Sequence, residues 1–157
     1  MRHVLGMLVA VTSVLTVASP ATAGPLHSEL HSEPADRAFV EQMLFATKVS
    51  EFVAAVGSDT WFDWSTDLCS APLVGSTGRT FNFGNACRRH DFGYRNLQLL
   101  DRRYGGGHWN SSSRRRVDQL FRIDMRRHCW ARPWYDEPTC LAWAETFYAA
   151  VRIAGGP

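Results

Sequence analysis

Cys87-Arg88-Arg89-His90-Asp91-Phe92-Gly93-Tyr94-Arg95-Asn96 is the densest concentration of reactive side chains in this chain. It lies in a stretch whose pattern predicts a helix from about Asn85 to Leu100. Histidine is the side chain best suited to proton transfer near neutral pH. Asp91 follows His90 by one residue, about 100° around a helix, so the two point in different directions and suit different tasks. His90 can face a substrate while Asp91 faces a cation. Such a pair is also common on plain helix surfaces, and these two residues alone leave that reading open.

Outward from this segment the pattern stays helical. Asp36 is a plausible N-cap for an earlier helix in which Phe45, Val49, Phe52, Val53 and Val56 recur at helical spacing, with Gly57 able to end it. Residues 58–83 carry prolines, glycines and serines, with aromatics near the start, and read as a long structured loop, often a functional feature in a compact domain. Residues 101–113 form a Gly- and Ser-rich connection to a third helix, predicted from about Arg114 to Cys129 with Val117, Leu120, Phe121 and Met125 inward. A fourth helix is predicted from near Pro138, with Leu141, Ala144, Tyr148 and Val151 on one side, stopping at Gly155-Gly156. No strand pattern competes, so the expected fold class is an all-α helical bundle.

The four cysteines fit that layout. Of the three connectivities open to four cysteines, the local one is favoured. Cys129 and Cys140 would staple the last two helices, while Cys69 in the long loop would reach Cys87 near the start of the second. Loops of this size contribute about 3 kcal/mol each in the chain-entropy picture. Zinc is the rival use, but there is no Cys-x-x-Cys. The 69–87 bridge would also bring Asp67 near Asp91. Two carboxylates and a loop carbonyl make the hard oxygen environment that calcium prefers.

The N-terminus reads as an address. Arg2 and His3 precede an apolar run, and Ala21-Thr22-Ala23 forms a cleavage site, so residues 1–23 are expected to be a secretory signal peptide. The run is shorter than the ~20 residues that span a bilayer. Residues 24–35, with two His-Ser-Glu repeats and two prolines, are expected to be a flexible leader or propeptide, and 36–157 the working domain. A secreted chain can keep its disulfides. The whole sequence has 157 residues, with 17 basic and 15 acidic side chains. That balance is too even for a polybasic nucleic-acid tail. The ordinary share of apolar residues excludes wholesale disorder.

The runs FDWSTDLCSAP (62–72) and FNFGNACRRHDFGYRN (81–96) resemble the secreted phospholipases A2 of bacteria and fungi. The Cys-x-x-His-Asp core from Cys87 to Asp91 is similar to the signature of the wider secreted phospholipase A2 superfamily. The likeness continues through RRRVDQLFRIDMRRHC (114–129) and the Cys140–Tyr148 segment, covering most of residues 61–153. It implies a small disulfide-braced bundle with a pair of antiparallel helices carrying the active site. His90 matches the general base, and Asp118 the carboxylate that orients it. Asp67 and Asp91 by their carboxylates and Leu68 by its carbonyl match the ligands of Ca2+. The implied activity is calcium-dependent hydrolysis of the sn-2 ester of glycerophospholipids by water, releasing a fatty acid and a lysophospholipid. No G-x-S-x-G motif is present, in keeping with direct attack by water. The implied partner is a glycerophospholipid at a membrane or micelle surface, met by a peripherally binding, secreted monomer. No nucleic-acid partner is expected.

The likeness has departures. The connection through Tyr104–Ser113 is longer than the family's usual one, Pro72 is followed by Leu73 rather than an acidic residue, and the Gly-rich calcium loop of the animal enzymes is missing. Two other classes compete: a non-catalytic secreted lipid- or receptor-binding protein on the same fold, and a calcium-dependent nuclease using the arginines as phosphate contacts.

Several further residues have two readings. Tyr94 lies four residues after His90 on one face and could bond near Asp118 or simply pack. Asp124 lies off the Asp118 face and reads as a surface charge. Trp61, Phe62 and Trp64 could line an acyl groove or fill the core. Trp130, Trp134 and Tyr135 fall in an expected exposed turn suited to lipid contact. The arginines crowding 88–132 read as solvated faces or as attraction to anionic lipid. Asn110-Ser111-Ser112 is a glycosylation sequon.

Overall fold

A computed structural model describes residues 31–69 and 81–154. The expected signal peptide, the expected leader up to residue 30, Pro72-Leu73 and Gly155-Gly156 lie outside the described residues. The regular elements described are helices: α1 (Glu33–Glu41), continued by a π-helical turn (Gln42–Ala46), α2 (Val49–Ala54), α3 (Gly84–Tyr104), α4 (Ser111–Trp130) and α5 (Glu137–Ala154). The all-α expectation is met, and both expected disulfides form, with Cα–Cα separations of 5.4 Å for Cys69–Cys87 and 5.5 Å for Cys129–Cys140.

The long helices run antiparallel in sequence. Early α3 meets late α4 through Arg89 and Asp124, and later α3 meets early α4 through Tyr94 and Arg114. Likewise Arg114 reaches Arg152 while Cys129 is bridged to Cys140, which reverses α5 against α4. Apolar residues form two cores. One gathers Phe81, Phe83, Phe121, Met125, Ala144 and Phe147 around the cysteines; the other gathers Val40, Leu44, Phe52, Phe62, Phe92, Leu100 and Val117. Val117, Phe121 and Met125 are buried as expected, while Leu120 is only partly so.

The first helix departs from expectation. It begins at Glu33, within the stretch read as leader, and its N-cap position is Ser32 rather than Asp36. Asp36 is instead a buried hub that accepts from Trp61 Nε1 (2.6 Å) and the Tyr104 hydroxyl (2.8 Å), with His31 Nδ1 at 3.0 Å. His31 stacks on Trp61 with ring centroids 4.5 Å apart, so this end of the stretch read as leader packs against the domain. The expected continuous helix to Gly57 is also broken at Thr47 and Lys48, where the backbone turns extended. Gly57, with φ of 78°, follows the last turn.

The connection from α3 to α4 is built by its own polar groups. Gly105, Gly106 and Gly107 all take positive φ, a conformation that L residues resist. The Asp101 carboxylate accepts from the amides of His108 (2.5 Å) and Trp109 (2.8 Å). Asn110 then caps α4, its side-chain oxygen accepting from Ser112 N and Ser113 N. Its Nδ2 donates to Gly107 O at 2.7 Å, so the sequon nitrogen already has a structural task.

Candidate active site

His90 sits on α3 and Asp118 on α4, one on each of two antiparallel helices. His90 Nε2 lies 2.9 Å from Asp118 Oδ1. The Tyr94 hydroxyl, one turn beyond His90, donates to the same oxygen at 2.7 Å. Of the two readings of Tyr94, the hydrogen-bonded one holds, and the ring also packs 4.3 Å from His90. The other carboxylate oxygen, Oδ2, accepts from Arg152 Nη1 at 2.6 Å. Burial alone would raise the Asp118 carboxyl, but the hydrogen bonds from His90, Tyr94 and Arg152 more than offset it and hold the group below its ordinary value. Burial and the hydrogen bond to Asp118 push the Tyr94 phenol well above its usual range, so it remains a neutral donor.

With Nε2 engaged by Asp118, Nδ1 is the ring nitrogen left for other chemistry. It lies 4.0 Å from Asp91 Oδ1. The ring packs against Phe121, centroids 4.7 Å apart, and His90 is 9% exposed. A mostly buried imidazole with one nitrogen tied to a buried carboxylate can act as a base through the other.

Two ties bring the loop before α3 to this helix. The buried Asn96 side chain accepts from Asp63 N (2.9 Å) and donates to Asp63 O (2.8 Å), clamping the start of the loop. The Cys69–Cys87 bridge clamps its end. Between them, Asp91 Oδ2 accepts from the Thr66 hydroxyl (2.5 Å) and from Asp67 N (3.1 Å), and Leu68 N donates to Thr66 Oγ1 at 3.1 Å. Leu68 and Cys69 both adopt left-handed backbone, φ of 54° and 60°. That conformation costs non-glycine residues on the order of 1 kcal/mol each and persists only where surrounding structure enforces it.

Asp67, Leu68 and Asp91 are therefore neighbours along one loop-to-helix junction. Burial pushes the Asp91 carboxyl above the usual range; the Thr66 hydrogen bond pulls it back, and the negative charge of Asp67 pushes it up again. An electrostatically crowded, all-oxygen junction of this kind suits a hard cation, so the donor set fits calcium. Among the described residues no three His, Cys, Asp or Glu side chains gather into a metal cluster. The fit depends on a backbone carbonyl beside two carboxylates.

A sequence model of the prokaryotic phospholipase A2 family matches residues 40–155. The chain belongs to that family. A secretory phospholipase A2 of Arthroderma benhamiae is 31% identical over 124 residues, covering 75% of this chain and 78% of the relative. One of Beauveria bassiana is 34% identical over 118 residues, covering 74% of this chain and 57% of the relative. Membership makes the chain a phospholipase A2 by class, an enzyme of phospholipid hydrolysis.

Other assignments in this phospholipase need correction. Asp124 is not a surface charge: it is 4% exposed and pairs through both oxygens with Arg89, which is 1% exposed. Arg89 Nη1 also donates to Thr47 O at 2.5 Å. Arg89 and Arg114 are thus buried structural groups rather than solvated or lipid-facing ones. Phe62 belongs to the core, stacked on Phe39, and the partly buried Trp64 packs against that core with its ring tilted over Phe92, centroids 4.6 Å apart. Trp61 is partly exposed, with the Arg103 guanidinium 3.8 Å over its ring. Trp130, Trp134 and Tyr135 are exposed, Trp134 by 82%. No helix among the described residues is long and apolar enough to cross a membrane.

Sequence reasoning did not reach Thr66, Arg114 or Arg152 as site residues. Thr66 could have been noticed beside Asp67, and Arg114 stands four residues before Asp118. Arg152 has no local signal, because its partner is 34 residues away.

Proposed function

We propose that this chain is a secreted, calcium-dependent phospholipase A2 that releases the sn-2 fatty acid through a water activated by His90. The observation that carries the reading is the 2.9 Å contact between His90 Nε2 and the buried Asp118 Oδ1. It leaves Nδ1 as the proton acceptor. As water attacks the ester carbonyl, Nδ1 takes its proton and the imidazolium is stabilised by Asp118, which keeps the ring in one tautomer. The same nitrogen then returns the proton to the departing lysophospholipid oxygen. Asp67, the Leu68 carbonyl and Asp91 would hold calcium, which when bound would supply electrostatic stabilisation for the developing oxyanion and the substrate phosphate. Trp130, Trp134 and Tyr135, with amphipathic rings at the exposed α4–α5 turn, suit peripheral contact with the lipid surface.

Secretion is supported by the N-terminal address and by the relatives named secretory. The test uses residues 24–157 with phosphatidylcholine vesicles, in calcium or in chelator. Fatty-acid release is expected in calcium alone and lost in His90→Ala. Release that persists in chelator, or survives that substitution, overturns the mechanism. Cosedimentation with the same vesicles is expected to weaken in Trp134→Ala; unchanged binding would remove this turn from the lipid surface.

A further inference from the structure

Asp118 uses its two carboxylate oxygens for different purposes. Oδ1 serves His90 and Tyr94, from α3. Oδ2 serves Arg152, from the far end of α5, at 2.6 Å. The other cation nearby is Arg114, whose Nε stands 3.6 Å from Oδ2, beyond good hydrogen-bond range.

Arg114 is occupied elsewhere. Its Nη2 donates to Val151 O (3.0 Å) and Arg152 O (2.8 Å) in the last turn of α5. Carbonyls at a helix C-terminus lack intrahelical partners and bear partial negative charge, so a guanidinium satisfies both needs there. Its Nε reaches the Tyr94 hydroxyl at 3.3 Å. The two arginines therefore cross: Arg114 of α4 holds the backbone of α5, and Arg152 of α5 holds the carboxylate of α4.

We infer that Arg152, seated by Arg114, is a positioning residue for hydrolysis, fixing the Asp118 carboxylate so that Oδ1 stays on His90 Nε2. The inference rests on the reading of His90 and Asp118 as the hydrolytic pair. Its physical basis is the cost of an unsatisfied oxygen on a buried anion. Asp118 is fully buried. Without Arg152, its carboxylate would turn toward Arg114 or admit water, and either movement draws Oδ1 from His90. Arg152 is part-exposed, and α5 is anchored separately by Cys140, Ala144 and Phe147, so its removal need not unfold the domain.

The test compares wild type, Arg152→Ala and Arg152→Lys on phosphatidylcholine micelles at saturating calcium, with calcium affinity measured by calorimetry. Arg152→Ala is expected to lower kcat about tenfold, the scale seen when partners of functional groups are removed. KM and calcium affinity should hold, and lysine, which can still donate to Oδ2, should restore most of the turnover. An unchanged kcat in Arg152→Ala, or a lysine variant as poor as alanine, overturns the inference. Absence of fatty-acid release by wild type would instead sink the reading of the pair. Arg152 would then still be decided by the His90 ring 15N shifts at one fixed pH. One tautomer is expected in wild type and a mixture in Arg152→Ala; identical spectra refute the positioning role.

Discussion

Val117 Cγ1 stands only 2.8 Å from where a Cβ on Gly93 would lie, and Leu44 Cδ2 approaches the same point to 3.1 Å. Gly93 is one turn along α3 from His90, and Val117 immediately precedes Asp118 on α4. The missing side chain therefore sets how closely the two helices bearing His90 and Asp118, the proposed hydrolytic pair, approach. A Gly93→Ala chain has to part them, because a β-branched valine cannot swing aside. Overpacking of this kind costs about 1–3 kcal/mol. Urea denaturation should show that loss, and phospholipid hydrolysis should fall several-fold as His90 and Asp118 separate. Unchanged turnover would show that the pair tolerates looser helix packing.

Asp118→Asn tests orientation and pH together. Turnover should fall at least tenfold while calcium affinity, measured by calorimetry, stays near wild type. The folded carboxyl lies below its ordinary value, so its contribution to stability is fully present above the unfolded pKa of about 3.9 and is lost as pH falls through the folded value. In the asparagine variant that contribution is absent. Stability plotted from pH 5 downward should accordingly decline less steeply than in wild type, and parallel curves would contradict the assignment.

Thr66 ties the loop to Asp91. Replacing it by valine removes the hydroxyl that donates to Asp91 Oδ2 and accepts from Leu68 N. Calcium binding should weaken by roughly the value of one charge-assisted hydrogen bond, about 1.5–3 kcal/mol. Asp91→Asn should weaken it further. Calorimetric affinities equal to wild type in both would move the cation elsewhere.

The Arg89–Asp124 pair carries stability rather than chemistry. Asp124→Ala leaves a buried guanidinium short of a partner and should cost about 3–5 kcal/mol in denaturant unfolding. The double variant Arg89→Met with Asp124→Leu should cost less than the two single changes summed, because neither charge is left alone. Additive losses would mean that the two groups act independently.

The resemblance to the secreted phospholipases A2 singled out His90, Asp118, Asp67, Leu68 and Asp91, while the residues by themselves determined the three long helices, though not the breaks in the first, and favoured both cysteine pairs. Those features are local: apolar periodicity, Gly and Pro punctuation and a compact His-Asp motif all act within a few residues of chain. The tertiary structure decided what local patterns do not encode. Asp124 reads as a surface charge along its own helix and becomes buried only because Arg89 arrives from another. Asp36 looks like a cap and is a hub because Trp61 and Tyr104 converge on it from 25 and 68 residues away. Arg152 has no motif at all, and reaches Asp118 only because α5 folds back along α4. Helical periodicity assigns a side chain to a face, but the partner on that face comes from a distant part of the chain, so burial, ion pairing and the positioning of the Asp118 carboxylate emerge only once the helices pack.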